Sequence, residues 1–209
     1  MGITFVFFIG FICALLGVVP PGLLNMTAAK ISLKEGHTRG IMFALGVCVI
    51  VFAQTYLAAI FARYLSHNKD IVNVLQRVAL VLFILITIYF LCIAKGDQKT
   101  QKKLKIRSKH SRFFQGLFLS SLNVFPIPYQ AYLTITFASF GWLTFNQIDI
   151  ISYVCGATTG TFVMLYIYMF FFDKIKGKSF TSQKNMNLII GSITGIITLV
   201  TLYGVIKDI

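Results

Sequence analysis

Acidic residues are scarce in this chain: six Asp and Glu stand against nineteen Lys and Arg in 209 residues. No Asp, Glu, His or Lys lies deep within an apolar run, and His37, His67 and His110 all fall between such runs. That pattern offers no paired carboxylates, no Ser-His-Asp set, no phosphate loop and no metal-ligand cluster. An enzyme is therefore disfavoured, and no cofactor or metal is expected. It also offers no visible intramembrane proton carrier of the kind many coupled carriers use. Cysteines are few and isolated. Cys13, Cys48, Cys92 and Cys155 each sit in an apolar run, which reads as small buried side chains rather than disulfides or a zinc site. Charge of either sign amounts to 12% of residues, about half the ~25% of a soluble domain.

What the chain has instead is apolar length. Its composition is 57% hydrophobic, with a mean hydropathy of +0.81, which places it among integral membrane proteins. Apolar runs delimit six spans near the ~20 residues a bilayer crossing needs, the third tolerating Arg77 near its entry, where a long side chain can snorkel. They cover about 3–26, 40–62, 71–94, 113–140, 148–172 and 187–206. The first run has no basic n-region and no small-residue cleavage site, so it is expected to be retained as a span. The links after spans one, three and five hold three, eight and four Lys or Arg, fifteen of the nineteen. The positive-inside rule then places these links in the cytoplasm, with both termini outside. The net charge of +13 therefore serves orientation and contact with anionic membrane lipid, not nucleic acid. Trp142, the single tryptophan, marks an interface after Gly141.

All four prolines lie in two stretches, Pro20-Pro21-Gly22 with Asn25 close behind, and Asn123-Val124-Phe125-Pro126-Ile127-Pro128. Proline lacks the amide hydrogen a helix needs, and a broken helix at membrane depth survives only when buried in protein or lining a polar cavity. The two breaks fall in the first span of each three-span half, about 1–94 and 113–209, joined by the basic link 95–112. Halves of three spans enter the membrane in opposite directions. The expected architecture is therefore one all-α membrane domain over 1–209: six transmembrane helices as two inverted three-helix repeats, helices 1 and 4 broken by proline. Paired broken spans point to a transporter substrate site. Its candidate lining is Pro20, Pro21, Gly22, Asn25, Asn123, Pro126 and Pro128, with Gln54 and Gln130 as further polar residues inside spans. Asn25 and Asn123 either pair backbone groups freed by the breaks or face a substrate, and the sequence leaves both open. Three Gly-x-x-x-Gly pairs, Gly36/Gly40, Gly156/Gly160 and Gly191/Gly195, provide for close helix approach within the chain. The third pair suits a homodimer face best.

Pro20-Pro21-Gly22, then Gly36-x-x-x-Gly40 and Gly46, resembles the first two elements of the lysine-exporter (LysE/RhtB) family of amino-acid translocators. Gly116 followed by Asn123 is similar to that family's second, Asn-led element. The basic central link and six hydrophobic segments match as well. Three departures stand out. Pro-Gly-Pro is here Pro-Pro-Gly-Leu, and the positions of a family lysine and aspartate hold Val-Phe-Pro after Asn123 and Ile50-Val51. The resemblance implies an exporter of amino acids or similar small metabolites across the inner membrane. The rival classes are a channel-like pore, which would show a polar or charged ring, and a non-transporting scaffold, which has no use for broken spans in both halves.

Overall fold

The computed structural model describes residues 2–20, 22–66, 80–81, 84–85, 87–93 and 108–175, with positions 188, 192, 195, 198–199 and 202 near the C-terminal end. Among these residues the chain is helical and has no strand. The helices are α1 (Ile3–Val18), α2 (Leu23–Glu35), α3 (His37–Ser66), α4 (Lys109–Ser121), α5 (Pro126–Ser139) and α6 (Gln147–Ile175), with a π-helical turn at Tyr89–Ile93. The chain divides into two units. One holds Met1–Tyr64 with Leu104–Asp173, and the other holds Leu65–Lys103 with Lys174–Ile209.

In the first unit, α3 and α6 are each long and apolar enough to cross a membrane, and α1 with α2 makes a third crossing if that bent pair is one span. The link expected over Lys30–Arg39 is mostly helix. Lys and Glu are good helix formers, so α2 runs through Lys30 and Lys34 to Glu35 and only Gly36 interrupts it. Gly36 has φ +94°, a conformation that L side chains rarely adopt. Just beyond it, Arg39 donates from Nη1 to the Glu35 carbonyl at 2.7 Å, satisfying the end of α2.

The second proline stretch is also placed differently from a simple interruption. α4 stops at Ser121, and the non-helical residues are 122–125, ahead of the prolines. Pro126 then opens α5 at its first position, and Pro128 follows two residues on. The first amides of a helix have no acceptor within it, so proline loses nothing there.

Glycines set two of the seams. A Cβ on Gly10 would overlap the Tyr153 carbonyl, and Cβ atoms on Gly156 and Gly160 would overlap those of Phe7 and Phe11, so α1 lies backbone to backbone on α6. In the same way Gly46 of α3 meets the Phe113 carbonyl and Gly116 of α4 meets that of Phe43. Close backbone approach of this kind is how membrane helices pack without a hydrophobic drive between them. α1 thus rests on α6, and α4 on α3. α2 lies against three others, with Ala28 and Ile31 among Phe43, Ala44, Val47 and Val51 of α3 and Leu165 and Met169 of α6, and Leu119 of α4 alongside. α5 packs on α3 through Ala131, Ala58 and Ala62. α3 packs on α6 through Ala59, Ile150 and Val154.

The two ends of this unit differ in character. At one, Trp142 stands edge-on to Phe5 and stacks with Phe137 at centroid distances of 6.2 and 6.0 Å. At the other, His37 stacks on Phe170 at 4.7 Å, beside the basic residues of α2, α3 and α4.

In the second unit, a Cβ on Gly195 would lie 3.6 Å from Thr87 Cγ2, an ordinary contact, so the C-terminal stretch touches the stretch around the π-helical turn. Most of the expected third and sixth spans, the link 95–107 and Gly191 lie outside the described residues.

Candidate functional site

A helix that stops inside a membrane protein leaves carbonyls without partners, and burying them unpaired is costly. The first break solves this with side chains. Asn25, only 3% exposed in the first turn of α2, turns its amide back and donates to the carbonyls of Val18 at 2.7 Å and Pro20 at 3.1 Å. The Val19 carbonyl between them accepts from the hydroxyl of Tyr168 on α6 at 2.6 Å. Of the two readings of Asn25, its amide nitrogen serves the backbone. Gly22 is exposed and stands as N-cap of α2, with no side chain capping that end. Pro20 is half-buried, and Pro21 lies outside the described residues.

The second break is closed from α3. Gln54 Nε2 donates to the carbonyls of Ser120 at 3.3 Å and Asn123 at 3.0 Å. Asn123 therefore takes part through its backbone, while the residue itself is exposed. Pro126 is half-buried and Pro128 exposed beside it. Gln54 Oε1 is buried without a hydrogen-bond partner among the described residues, and so is the hydroxyl of its neighbour Thr55. Native proteins pair nearly all such groups, so an exception calls for a reason.

The arrangement is reciprocal. The α1–α2 break is completed by Tyr168 of α6, and the α4–α5 break by Gln54 of α3. Sequence reading finds Asn25 and Gln54, because an amide within an apolar run is conspicuous. It misses Tyr168, since a tyrosine among aromatic residues gives no such signal.

Gln130 is brought into a second polar group. Its Oε1 accepts from the buried Tyr153 hydroxyl at 2.6 Å. One position earlier, Tyr129 donates to the Cys13 carbonyl of α1 at 3.0 Å, with its ring against Gly17. Thr134 returns its hydroxyl to the Gln130 and Ala131 carbonyls, the usual habit of a membrane threonine.

One ion pair was not foreseen. Arg112, in the first turn of α4, makes a two-pronged contact with Glu35 at the end of α2. Nε lies 2.9 Å from Oε2, and Nη2 bonds Oε1. Nη1 bonds Gln115 Oε1. Both paired side chains are 1% exposed. The sequence places these charges in polar links 77 positions apart, and nothing local announces that they meet. Among the described residues no group of three or more His, Cys, Asp or Glu is placed to hold a metal.

Long apolar helices with broken companions, and polar side chains spent on the loose ends, define a helical membrane protein. The chain belongs to the LysE type translocator family, whose model matches residues 15–204. It is accordingly a membrane transport protein. No curated protein and no solved structure matches the chain.

Proposed function

We propose that the protein is a secondary transporter that exports amino acids or similar small metabolites across the cytoplasmic membrane, with the substrate held between the two helix breaks. The observation that carries this reading is Gln54. It completes the α4–α5 break with its nitrogen and keeps a buried carbonyl oxygen unmet beside it. An acceptor of that kind suits an ammonium group. The uncapped N-terminus of α2 supplies amide hydrogens and a positive half-helix end suited to a carboxylate. Together they fit a zwitterion without any charged side chain in the membrane. Asn25 holds the first break in shape, and Asn123, exposed at the second, is available to a ligand. Gln130 borders the same helices through Tyr153.

The wider architecture belongs to the proposal too. Six spans form two inverted repeats, with a break beside the prolines in the first span of each half. Support comes from the repeated order of broken helix then long helix, and from the crossed packing of α1 on α6 and α4 on α3. The basic links lie in the cytoplasm against anionic lipid.

Everted vesicles carrying the full-length protein, offered a panel of labelled amino acids, test the function. Asn123→Ala is the cleaner probe because its side chain is exposed and no described contact depends on it. It and Gln54→Leu are each expected to lower uptake about five- to a hundred-fold, the loss of one or two hydrogen bonds worth roughly 1–3 kcal/mol. Wild-type uptake by both, at equal protein in the membrane, removes the breaks from substrate binding.

A further inference from the structure

We infer that the Glu35–Arg112 pair is a latch: it closes the basic end of the translocation path by holding α2 against α4, and transport requires it to part. This rests on the chain being a translocator, not on its substrate being an amino acid.

The pair sits where such a device has most effect. Glu35 ends the helix that follows the first break, and Arg112 begins the helix that precedes the second. Their contact thus bridges the two halves at the end opposite Trp142. It is two-pronged, both side chains are buried, and Gln115 steadies the guanidinium from the α4 side. Stability alone does not account for it. A buried ion pair adds little net stability, because desolvating both charges offsets their attraction, yet parting the partners in place strands two charges. The contact is therefore either fully made or opened to water, which is the behaviour of a two-state element.

The surroundings permit that opening. Gly36 follows Glu35 directly, at φ +94° and with nothing within 4 Å of where a Cβ would stand. It is the single-residue turn between α2 and α3, spanned by the Ser32–His37 contact at 2.8 Å and by the Arg39 bond to the Glu35 carbonyl. The other end of α2 is tied by Asn25 to the break. α2 is thus a short helix hinged at both ends, with a charge clasp beside one hinge. Its inner face carries Ala28 and Ile31, both fully buried against α3 and α6.

Two measurements on the full-length chain decide the matter. In the first, Cys13, Cys48, Cys92 and Cys155 are replaced by alanine, and Ala28→Cys is introduced. Everted vesicles are then treated with a membrane-impermeant maleimide. Adding Glu35→Gln with Arg112→Gln is expected to raise the labelling rate about ten-fold or more, as the open state gains population. An unchanged rate overturns the latch. This arm needs no substrate, so it holds whatever the chain exports. In the second, Glu35→Cys and Arg112→Cys are joined by a short cross-linker that reductant cleaves. Export is expected to fall below about a tenth and to return on reduction. A clamp that only supports the fold is served as well by a covalent tie, so undiminished export by cross-linked protein overturns the proposal. Because the cross-link replaces the pair, this arm also decides if the Gln variants fail to fold.

Discussion

At the scale of single residues, buried polar side chains close the loose backbone ends at both breaks. Asn25 and Tyr168 answer three consecutive carbonyls, 18 to 20, and Gln54 answers two more at the other break. A buried carbonyl deprived of its donor costs about 1–3 kcal/mol. Asn25→Ala strands two of them and Tyr168→Phe only one, with the ring left in place. Asn25→Ala is therefore expected to lower the thermal unfolding midpoint in detergent by more than Tyr168→Phe does. Equal midpoints for wild type and Asn25→Ala contradict this account of the break. An amide next to two prolines in an apolar run is visible in sequence. Tyr168 is 148 positions from Pro20 and looks like its aromatic neighbours, so only packing reveals it.

At the scale of elements, glycine decides which helices touch. Across the α3–α4 seam Gly46 faces the backbone of Phe113 and Leu117, and Gly116 that of Phe43 and Val47, so any side chain there forces the helices apart. Overpacking a tight site costs typically about 1–3 kcal/mol. Gly22 is the natural control, since a Cβ there would come no closer than 3.9 Å to the Pro20 carbonyl. Gly116→Ala is expected to reduce the yield of folded, monodisperse protein, while Gly22→Ala leaves it unchanged. Size-exclusion profiles and unfolding midpoints check both. The spacing Gly36-x-x-x-Gly40 reads as one packing face, but its members do different things. A Cβ on Gly40 would meet Met169 and Ser32, whereas one on Gly36 would meet nothing, and Gly36 serves the turn. Spacing alone does not separate these uses, because it encodes neither φ nor the neighbouring helix.

At the scale of the whole molecule, the basic residues at the α2–α4 end make a statement about orientation. The positive-inside rule puts that end in the cytoplasm. Ser108, exposed at the N-cap of α4, is the reporter of choice. A cysteine substituted there, Ser108→Cys, is expected to react with impermeant maleimide in everted vesicles and to resist it in intact cells. Labelling from the outside reverses the orientation and moves the Glu35–Arg112 pair to the external face.

The sequence by itself determined the class of protein, the long apolar helices, the two places where helices stop and the amides Asn25 and Gln54 near them. Those features are local: run length, a missing amide hydrogen, a polar group where none is tolerated unpaired. Helix ends shifted only where a local preference outweighed the run, as when Lys30 to Glu35 continued α2 and Pro126 opened α5 instead of breaking it. Tertiary structure alone decided that α1 lies on α6 and α4 on α3, that Tyr168 of α6 meets the Val19 carbonyl, and that Gln54 of α3 meets those of Ser120 and Asn123. It also decided that Glu35 and Arg112 are partners instead of solvated link charges. These are choices between distant segments with equally apolar surfaces. Hydrophobicity does not rank such pairings, and the match of glycine to carbonyl and of donor to acceptor does.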